Sequence, residues 1–384
     1  MFSRRALLIT GGAAAVILGT GTCSYTNARR MDAVRAPWRQ AEQGFGDVRL
    51  NALAYAILAP NPHNRQPWLI ELEGEDSLTV CCDLDRLLPE TDPPHRQITI
   101  GFGAFLEMLR QAAAEQGYRA EITPFPEGEP YPHLDTRPIA QVRLVPDEAA
   151  DRDPLFAQAL ARRTVRAKFE TDRPVDTETM MSLAALSAGD GNTALSFTSE
   201  PERVRWFRDI NKRGWAAEIN NLPTLLESTE LTRIGSAQIR ENPDGVSLNG
   251  PVMELMKTAG ILTKKNMETP GSTAFKETQA YYDGLIDATP TFAWMTTPTN
   301  TRADQLTAGA RWVRLQLAAA QLGIATQPLS QVLQEFPAMA ACYDEVHDVL
   351  GVPLPARIQG IFRLGYADYP PASPRWPLTS RIIT

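Results

Sequence analysis

The sequence predicts an α+β protein of antiparallel-rich sheets with packed helices, arranged as two similar but strongly diverged halves in one chain. Three observations predict it. Short segments that alternate apolar and polar residues, bounded by turn residues, recur along the chain, as half-buried strands do. Two long Ala- and Leu-rich stretches, GFGAFLEMLRQAAAEQGY (101–118) and LTAGARWVRLQLAAAQLGI (306–324), have helical spacing, and each ends on a Gly shortly before a strand or turn. From about residue 151 the ingredients of the first stretch of chain return.

Taken in order, Trp38 to Ala59 reads as a helix, with Val48, Leu50, Leu53, Tyr55, Ala56 and Leu58 as its apolar face and Pro60 as its stop. WLIELEG and SLTVCCDL read as a hairpin around the turn at 74–77. The first long helix (101–118) follows, then AEIT and AQVRLVP as strands. After 151, LFAQALARR reads as a helix, 172–175 as a turn, 177–187 as a helix and ALSFTS as a strand. TFAWMTT (291–297) is a strand, 306–324 the second long helix, and IQGIFRLGYA the closing strand. Residues 37–150 thus form the first half and 151–384 the second. Within the second, 209–277 has no counterpart in the first and reads as an insertion that could act as a lid.

Composition narrows the function. With 384 residues, 43% hydrophobic and 22% charged, the chain has ordinary globular make-up and a large core. A net charge of −7 argues against general attraction to nucleic acid, so any anion site is local. His63, His95, His133 and His347 show no metal-ligand spacing, and no metal is expected. Cys81 and Cys82 fall on opposite faces of a strand, while Cys23 and Cys342 stand apart, so no disulfide framework is expected. GTGTCS (19–24) lacks the third glycine of a dinucleotide fingerprint, and no P-loop or GxSxG elbow occurs. At the N-terminus, Arg4 and Arg5 precede an apolar stretch reaching about Cys23; residues 1–30 resemble a twin-arginine export signal or an uncleaved membrane anchor. The resemblance implies an exported protein, periplasmic or held on the membrane facing the periplasm. Cys23 as a lipidation site lacks the leucine wanted three residues before it.

Two stretches carry chemistry. In ARRTVRAKF (161–169), an extended chain places Arg162, Thr164 and Arg166 on one side, two guanidiniums flanking a hydroxyl, with Arg163 between them. Guanidinium forks and a hydroxyl suit a phosphate monoester, although basic residues ending a helix also offset its dipole. In APNPHNRQPW (59–68), two X-Pro steps and an Asn-rich turn enforce a rigid, non-helical loop that presents Pro60, Asn61, Pro62, His63 and Asn64 at fixed angles. Such a loop can meet a heterocycle or a phosphate, and it is equally a capped turn.

Together the two stretches resemble the signatures of the nitroreductase family, an RRSxRxF segment and an APSxxNxQPW segment, and their order resembles the Acg-type branch, in which one chain holds two nitroreductase-like halves. The likeness runs from Trp38 onward and includes AQLGIATQPLSQ (320–331) and RLGYADYPPASPRWPL, but not 209–277. It implies a duplicated nitroreductase-like fold, a pseudo-dimer in one chain, binding FMN and passing hydride through flavin N5 between a small-molecule electron donor and an electron-poor acceptor. A flavin-sequestering protein with a lidded, catalytically poor site is the alternative. By the same resemblance Arg162, Arg163, Thr164 and Arg166 are the phosphate arm, Arg375 is a further phosphate ligand, and 60–64 is the loop meeting the flavin. Gln327, Pro328, Leu329, Ser330 and Gln331 form the turn whose backbone amide, at Ser330 or Gln331, faces N5. Asn61 stands where the family usually has serine, and Ser373 where a lysine often assists. One chain holds one loop and one arm, so a monomer with a single flavin is expected.

Overall fold

The computed structural model describes residues 30–189 and 191–383. The paired arginines, the apolar leader and Cys23 lie outside the described residues. Residues 30–34 are helical and lead into α1 (Ala36–Gln43) and α2 (Val48–Ala56). The single helix expected over Trp38–Ala59 is therefore broken. Gly44 and Gly46 adopt φ of 78° and 77°, a conformation that glycine takes without steric cost, and Asp47 restarts the helix by accepting from the amides of Arg49 and Leu50.

β1 (Trp68–Glu73) and β2 (Ser77–Cys82) form the expected hairpin, with Trp68 opposite Cys82. α3 (Arg96–Glu115) begins five residues earlier than expected, because the Asp92 carboxylate accepts from the amides of Gln97 and Ile98 and satisfies its first turn. β3 (Tyr118–Pro124) and β4 (Ala140–Pro146) follow. The helix expected over LFAQALARR is absent: one 3₁₀ turn, Pro154–Gln158, gives way to extended chain. Arg162 explains the difference, since its guanidinium reaches the carbonyl of Leu58 and the Gln316 amide oxygen, contacts a continued helix could not keep.

Next come α4 (Thr177–Leu186), β5 (Ala194–Thr198), α5 (Pro201–Asn220), α6 (Leu222–Glu230), β6 (Thr232–Ile234), α7 (Gly235–Glu241), β7 (Val246–Leu248), α8 (Pro251–Thr258), α9 (Lys264–Met267) and α10 (Thr273–Asp287). Residue 209, the expected start of the insertion, falls inside α5, whose true start is capped by Glu200. The chain ends with β8 (Thr291–Thr297), α11 (Arg302–Gln321), β9 (Ala325–Pro328), α12 (Ala340–Leu350), β10 (Arg357–Gly365) and β11 (Ile382–Ile383). α11 starts four residues before the expected boundary because Thr301 and Asp304 form a capping box.

The fold is α+β. One sheet has the order β11-β1-β2-β4-β3 and another β5-β8-β10-β9; the strands pair antiparallel, except that β11 lies parallel to β1. β6 and β7 form a small parallel pair. The last strand therefore joins the sheet of the first half, so 151–384 is not a closed unit.

α3 and α11 cross in backbone contact between the sheets. A Cβ on Gly103 would fall 2.0 Å from the carbonyl oxygen of Leu306, and one on Gly309 would fall 1.9 Å from that of Ile100. Each glycine stands seven residues after an arginine that opens its helix. Both arginines are buried and reach across the chain: Arg96 donates to the Leu333 carbonyl (2.6 Å), and Arg302 to those of Pro94 (2.8 Å) and Pro132 (2.7 Å). Among the described residues no helix is long and apolar enough to cross a membrane. Cys81, Cys82 and Cys342 are free.

Gly103→Ala is expected to lower stability by about 1–3 kcal/mol or more, because one methyl must push two backbones apart. Urea unfolding measures it, and a loss below about 0.5 kcal/mol, the range of neutral surface changes, would refute the close crossing.

Candidate functional site

The loop after α2 is held by its own polar side chains. Asn61 Oδ1 accepts from the amide of Gln66 (2.8 Å) and its Nδ2 donates to the Ala59 carbonyl (3.1 Å), while Asn61 and Pro62 rest against Gly101 of α3. His63, Asn64 and Gln66 take φ of 47°, 52° and 51°. Left-handed conformations at non-glycine residues cost on the order of 1 kcal/mol each and persist only where the surroundings enforce them. The surroundings here are the C-terminal tail and the inserted segment. Asn64 donates to the Pro374 carbonyl (3.2 Å) and accepts from Arg375 (2.8 Å); Gln66 accepts from the Trp376 amide (2.9 Å) and donates to the Pro243 carbonyl (2.8 Å).

The arm joins the same place. Arg162, 2% exposed, donates to Gln316 Oε1 (2.8 Å) and the Leu58 carbonyl (2.5 Å), and Gln316 Nε2 donates to Thr164 Oγ1 (3.2 Å). Arg162 and Thr164 thus share a side, as extended chain predicts. Val165 donates from its amide to the Thr326 carbonyl (2.9 Å), which seats the arm against β9. Arg166 departs from the expected set: it is exposed, and its guanidinium donates no hydrogen bond to a described residue, although its carbonyl accepts from Tyr281 Oη (2.7 Å). Arg375 is buried and spans the end of α2, donating to the carbonyls of Ile57 (3.0 Å), Leu58 (2.8 Å) and Ala59 (3.1 Å).

Arg162, Arg163 and Arg375 gather around one indole, their guanidinium carbons 5.7, 5.0 and 5.6 Å from the Trp38 ring centre. None of the three pairs with a carboxylate among the described residues. Burial, then the charge of Arg163, lowers Arg162 to about 9; burial and the charges of Arg162 and Arg163 hold Arg375 well below its ordinary value. Burial, reinforced by Arg166 and Arg65, lowers His63 to about 4, so its ring is neutral at pH 7. The Nε of Arg162 and the Nδ1 of His63 are buried without partners. Three cations packed without counter-charge favour an anion, and unspent buried polar atoms mark where a polar ligand gains bonds.

The turn after β9 completes the setting. Gln327 lies in the strand and is consumed by the buried Arg363 (2.7 Å), which also donates to the Val165 (3.3 Å) and Ala167 carbonyls of the arm. Pro328 faces Phe362 in the ladder, Leu329 donates to the Ile361 carbonyl (2.8 Å), and Ser330 Oγ bonds both the amide and the carbonyl of Ile361. Gln331 opens a 3₁₀ turn, Gln331–Leu333, with its Oε1 buried and unpartnered. Arg96 holds this turn and Gly101 meets the loop, five residues apart on α3, or about 7.5 Å along the axis. Loop, arm, tail and turn are thus brought together. Trp38, Gln316, Arg363 and Tyr281 also hold them, and sequence reading missed all four; helical spacing marks Gln316 and Trp38 only as core-facing positions.

The inserted segment docks on the loop through Asp244, 4% exposed, which pairs with Arg65 (3.3 Å), Arg86 (2.9 Å) and Arg233 (2.7 Å). Among the described residues no group of three or more His, Cys, Asp or Glu is arranged to hold a metal.

The sequence profile of the Nitroreductase family matches residues 159–366, more than half of the chain. Two curated proteins of Mycobacterium tuberculosis are similar to it. One, named as a candidate NAD(P)H nitroreductase, is 32% identical over 139 residues, 36% of this chain and 39% of the relative. The other, the candidate NAD(P)H nitroreductase acg, is 35% identical over 125 residues, 32% of this chain and 36% of the relative. The matched stretch spans less than two fifths of the length of these relatives. Among solved structures, an FMN-dependent nitroreductase from Mycobacterium smegmatis in complex with NADPH aligns with a TM-score of 0.35 at 21% identity, covering 57% of this chain and 92% of that one.

Asp244→Asn should cost about 3–5 kcal/mol, because it leaves three largely buried guanidiniums without their shared charge. Chemical unfolding of the variant is the measurement. A loss near that of an exposed pair, under about 1 kcal/mol, would show that the clasp is solvated.

Proposed function

Because the chain belongs to the nitroreductase family, we propose that it is an FMN-dependent oxidoreductase of nitroreductase type, acting between a small-molecule electron donor and an electron-poor acceptor. The observation that carries this reading is the group of buried and half-buried guanidiniums that no described carboxylate pairs, on an arm that also carries the exposed Arg166, together with a strained, clamped loop. The residues fit the group. The Arg166 guanidinium, with no described partner, can meet a phosphate, the unpartnered Nε of Arg162 is a buried donor on the same arm, and Arg163 and Arg375 add positive charge. Thr164 Oγ1, which accepts from Gln316, has a hydroxyl proton left to donate. When bound, FMN supplies hydride transfer through N5. The chain binds and orients: neutral His63 and the Asn61 loop form one wall, Ser330 and Gln331 present backbone amides on another, and the hydrogen bonds of Arg363 fix the arm and β9 relative to each other.

The reading extends to the whole chain. Two fused halves leave one loop, 59–68, and one arm, 162–169, so one chain has one site and needs no partner. Residues 1–30 add export by the twin-arginine route, to the periplasm or its membrane face. A second reading, a flavin-holding protein with a lidded site, is favoured by one observation: the inserted segment is fastened to the loop through Gln66 and Asp244. Turnover with a reduced nicotinamide donor and a nitroaromatic acceptor separates the two.

The purified full chain should be yellow and, on heating, release FMN and no FAD, at one FMN per monomer. Absorbance, chromatography of the released cofactor and light scattering decide this. A colourless protein that stays so with excess FMN would end the proposal, and a dimer holding both flavins between chains would end its monomeric form.

Arg166→Ala should weaken FMN binding by on the order of 1.5–3 kcal/mol, the worth of a charge-assisted bond, and Lys168→Ala far less. Flavin-fluorescence titration measures both. Equal losses would mean that the segment is a general basic surface.

A further inference from the structure

The face of α5 turned to the 331–334 turn holds a set of polar atoms that no described residue satisfies. Asn211, Gly214, Trp215 and Glu218 share one face, and Gly214 is packed so closely that a Cβ there would fall 2.4 Å from Val332 Cγ1. Asn211, Trp215 and Glu218 are each at least nine-tenths buried. Asn211 Oδ1, Trp215 Nε1 and Glu218 Oε2 are buried without partners, and from the turn so are Gln331 Oε1 and Gln334 Oε1. Four acceptors thus stand against one donor.

An ionised Glu218 would bring a buried charge to a place already short of donors, whereas a protonated carboxyl supplies the donor that is missing. The groups facing it are divided: two hydrogen bonds favour the ionised form, and a neighbouring carboxylate opposes it. Ser228 Oγ donates to Glu218 Oε1 (3.2 Å), Gln334 bonds it from the turn, and Tyr282 of α10 stacks on Trp215. Glu227 of α6 adds negative charge while its own oxygens accept from the amides of Glu90 and Thr91. Arg96, the cation that holds the turn, is paired with Glu335. Burial is the largest influence and pushes Glu218 up to about 7, against the pull of Ser228 and Gln334.

We propose that Glu218 is a positioning residue: held as a neutral acid, it fixes the 331–334 turn that adjoins the flavin-facing amides of Ser330 and Gln331. The inference rests on the FMN reading for its functional meaning, but not for its test. A carboxyl raised in the folded state contributes stability that is full below its unfolded value, about 4.3, and is lost as pH rises through 7. The turn should loosen over the same range.

The experiment follows the ¹³C resonance of the Glu218 carboxyl and the backbone amide of Val332 against pH in the full chain, in wild type and Glu218→Gln. In wild type both should move together with a midpoint near 7; in Glu218→Gln the Val332 transition should vanish, because the amide keeps a donor and cannot ionise. With FMN added, the visible band of wild type should shift over the same pH range and that of the variant should not. A carboxyl titrating near 4, or a Val332 transition that survives in Glu218→Gln, would overturn the proposal. Should FMN fail to bind, the two resonances still decide the role of Glu218, and only the flavin reading falls. Should FMN bind with a pH-independent band in both proteins, the positioning role falls and the flavin reading stands. The wild-type titration needs no variant, so a misfolded Glu218→Gln would not leave the question open.

Discussion

The crossing of α3 and α11 at Gly103 and Gly309 is the constraint on which the remaining structure depends. Helix axes normally stand 8–10 Å apart because side chains separate them; here carbonyl oxygens occupy the space a methyl would need. Two consequences follow. The sheets on either side are drawn close enough for Arg96 and Arg302, at the helix starts, to reach carbonyls belonging to distant stretches of the chain. And the two walls of the candidate site, the loop at Asn61 and Pro62 and the turn at Leu333, are referred to one rigid element, α3, so their separation is set by helical rise and not by loop conformation.

Charge is distributed around this frame in two contrasting ways. At Asp244 one buried carboxylate answers three arginines from the loop, the 3₁₀ turn after β2 and the insertion. At Trp38 three arginines have no carboxylate among the described residues and are answered by carbonyl and amide oxygens, the Ser373 hydroxyl and an aromatic face. A backbone carbonyl carries a partial charge and a carboxylate a full one, so the first cluster is partly neutralised and the second is not. A bound dianionic phosphate is the kind of group that would close it, at modest cost, since the guanidiniums are already ordered by the bonds they make to Ile57, Leu58, Ala59 and Gln316.

Much of this was legible in the sequence, for definite reasons. The hairpin at 68–82 announces itself by alternating segments about a turn, and the strand Thr291–Thr297 by a short apolar run between Pro290 and Pro298, signals that depend on nearby residues alone. The two long helices were identified from their apolar stripes, but their starts were missed because Asp92 and Thr301 cap them ahead of the apolar stretch. LFAQALARR failed for the opposite reason: its helical propensity is overridden by the reach of Arg162 to Gln316 and Leu58, partners 154 and 104 residues away. The arm and loop were visible as unusual local chemistry. Trp38, Gln316 and Arg363 were not, since an indole, an amide and an arginine in apolar elements look like any core or surface position until the fold brings their partners to them.

The insertion meets the site at both ends, and this limits how the site can be built. Pro243 and Asp244 hold the loop, while the Asn211, Gly214, Trp215 and Glu218 face of α5 holds the turn. Neither sheet supplies these contacts. The loop contains three non-glycine residues in left-handed conformation, and the turn is lined by unsatisfied amide oxygens; each is a local cost that the surrounding structure must offset. For the loop the offset is visible, in the hydrogen bonds of Asn61 within the loop and of Asn64 and Gln66 to the tail and the insertion. For the turn it is incomplete: Gly214 brings the backbone of α5 against Val332, yet the polar atoms between them stay unpaired. A protonated carboxyl at Glu218 supplies one donor where acceptors outnumber donors, which is why the packing of α5 and the protonation of Glu218 belong to one arrangement rather than two.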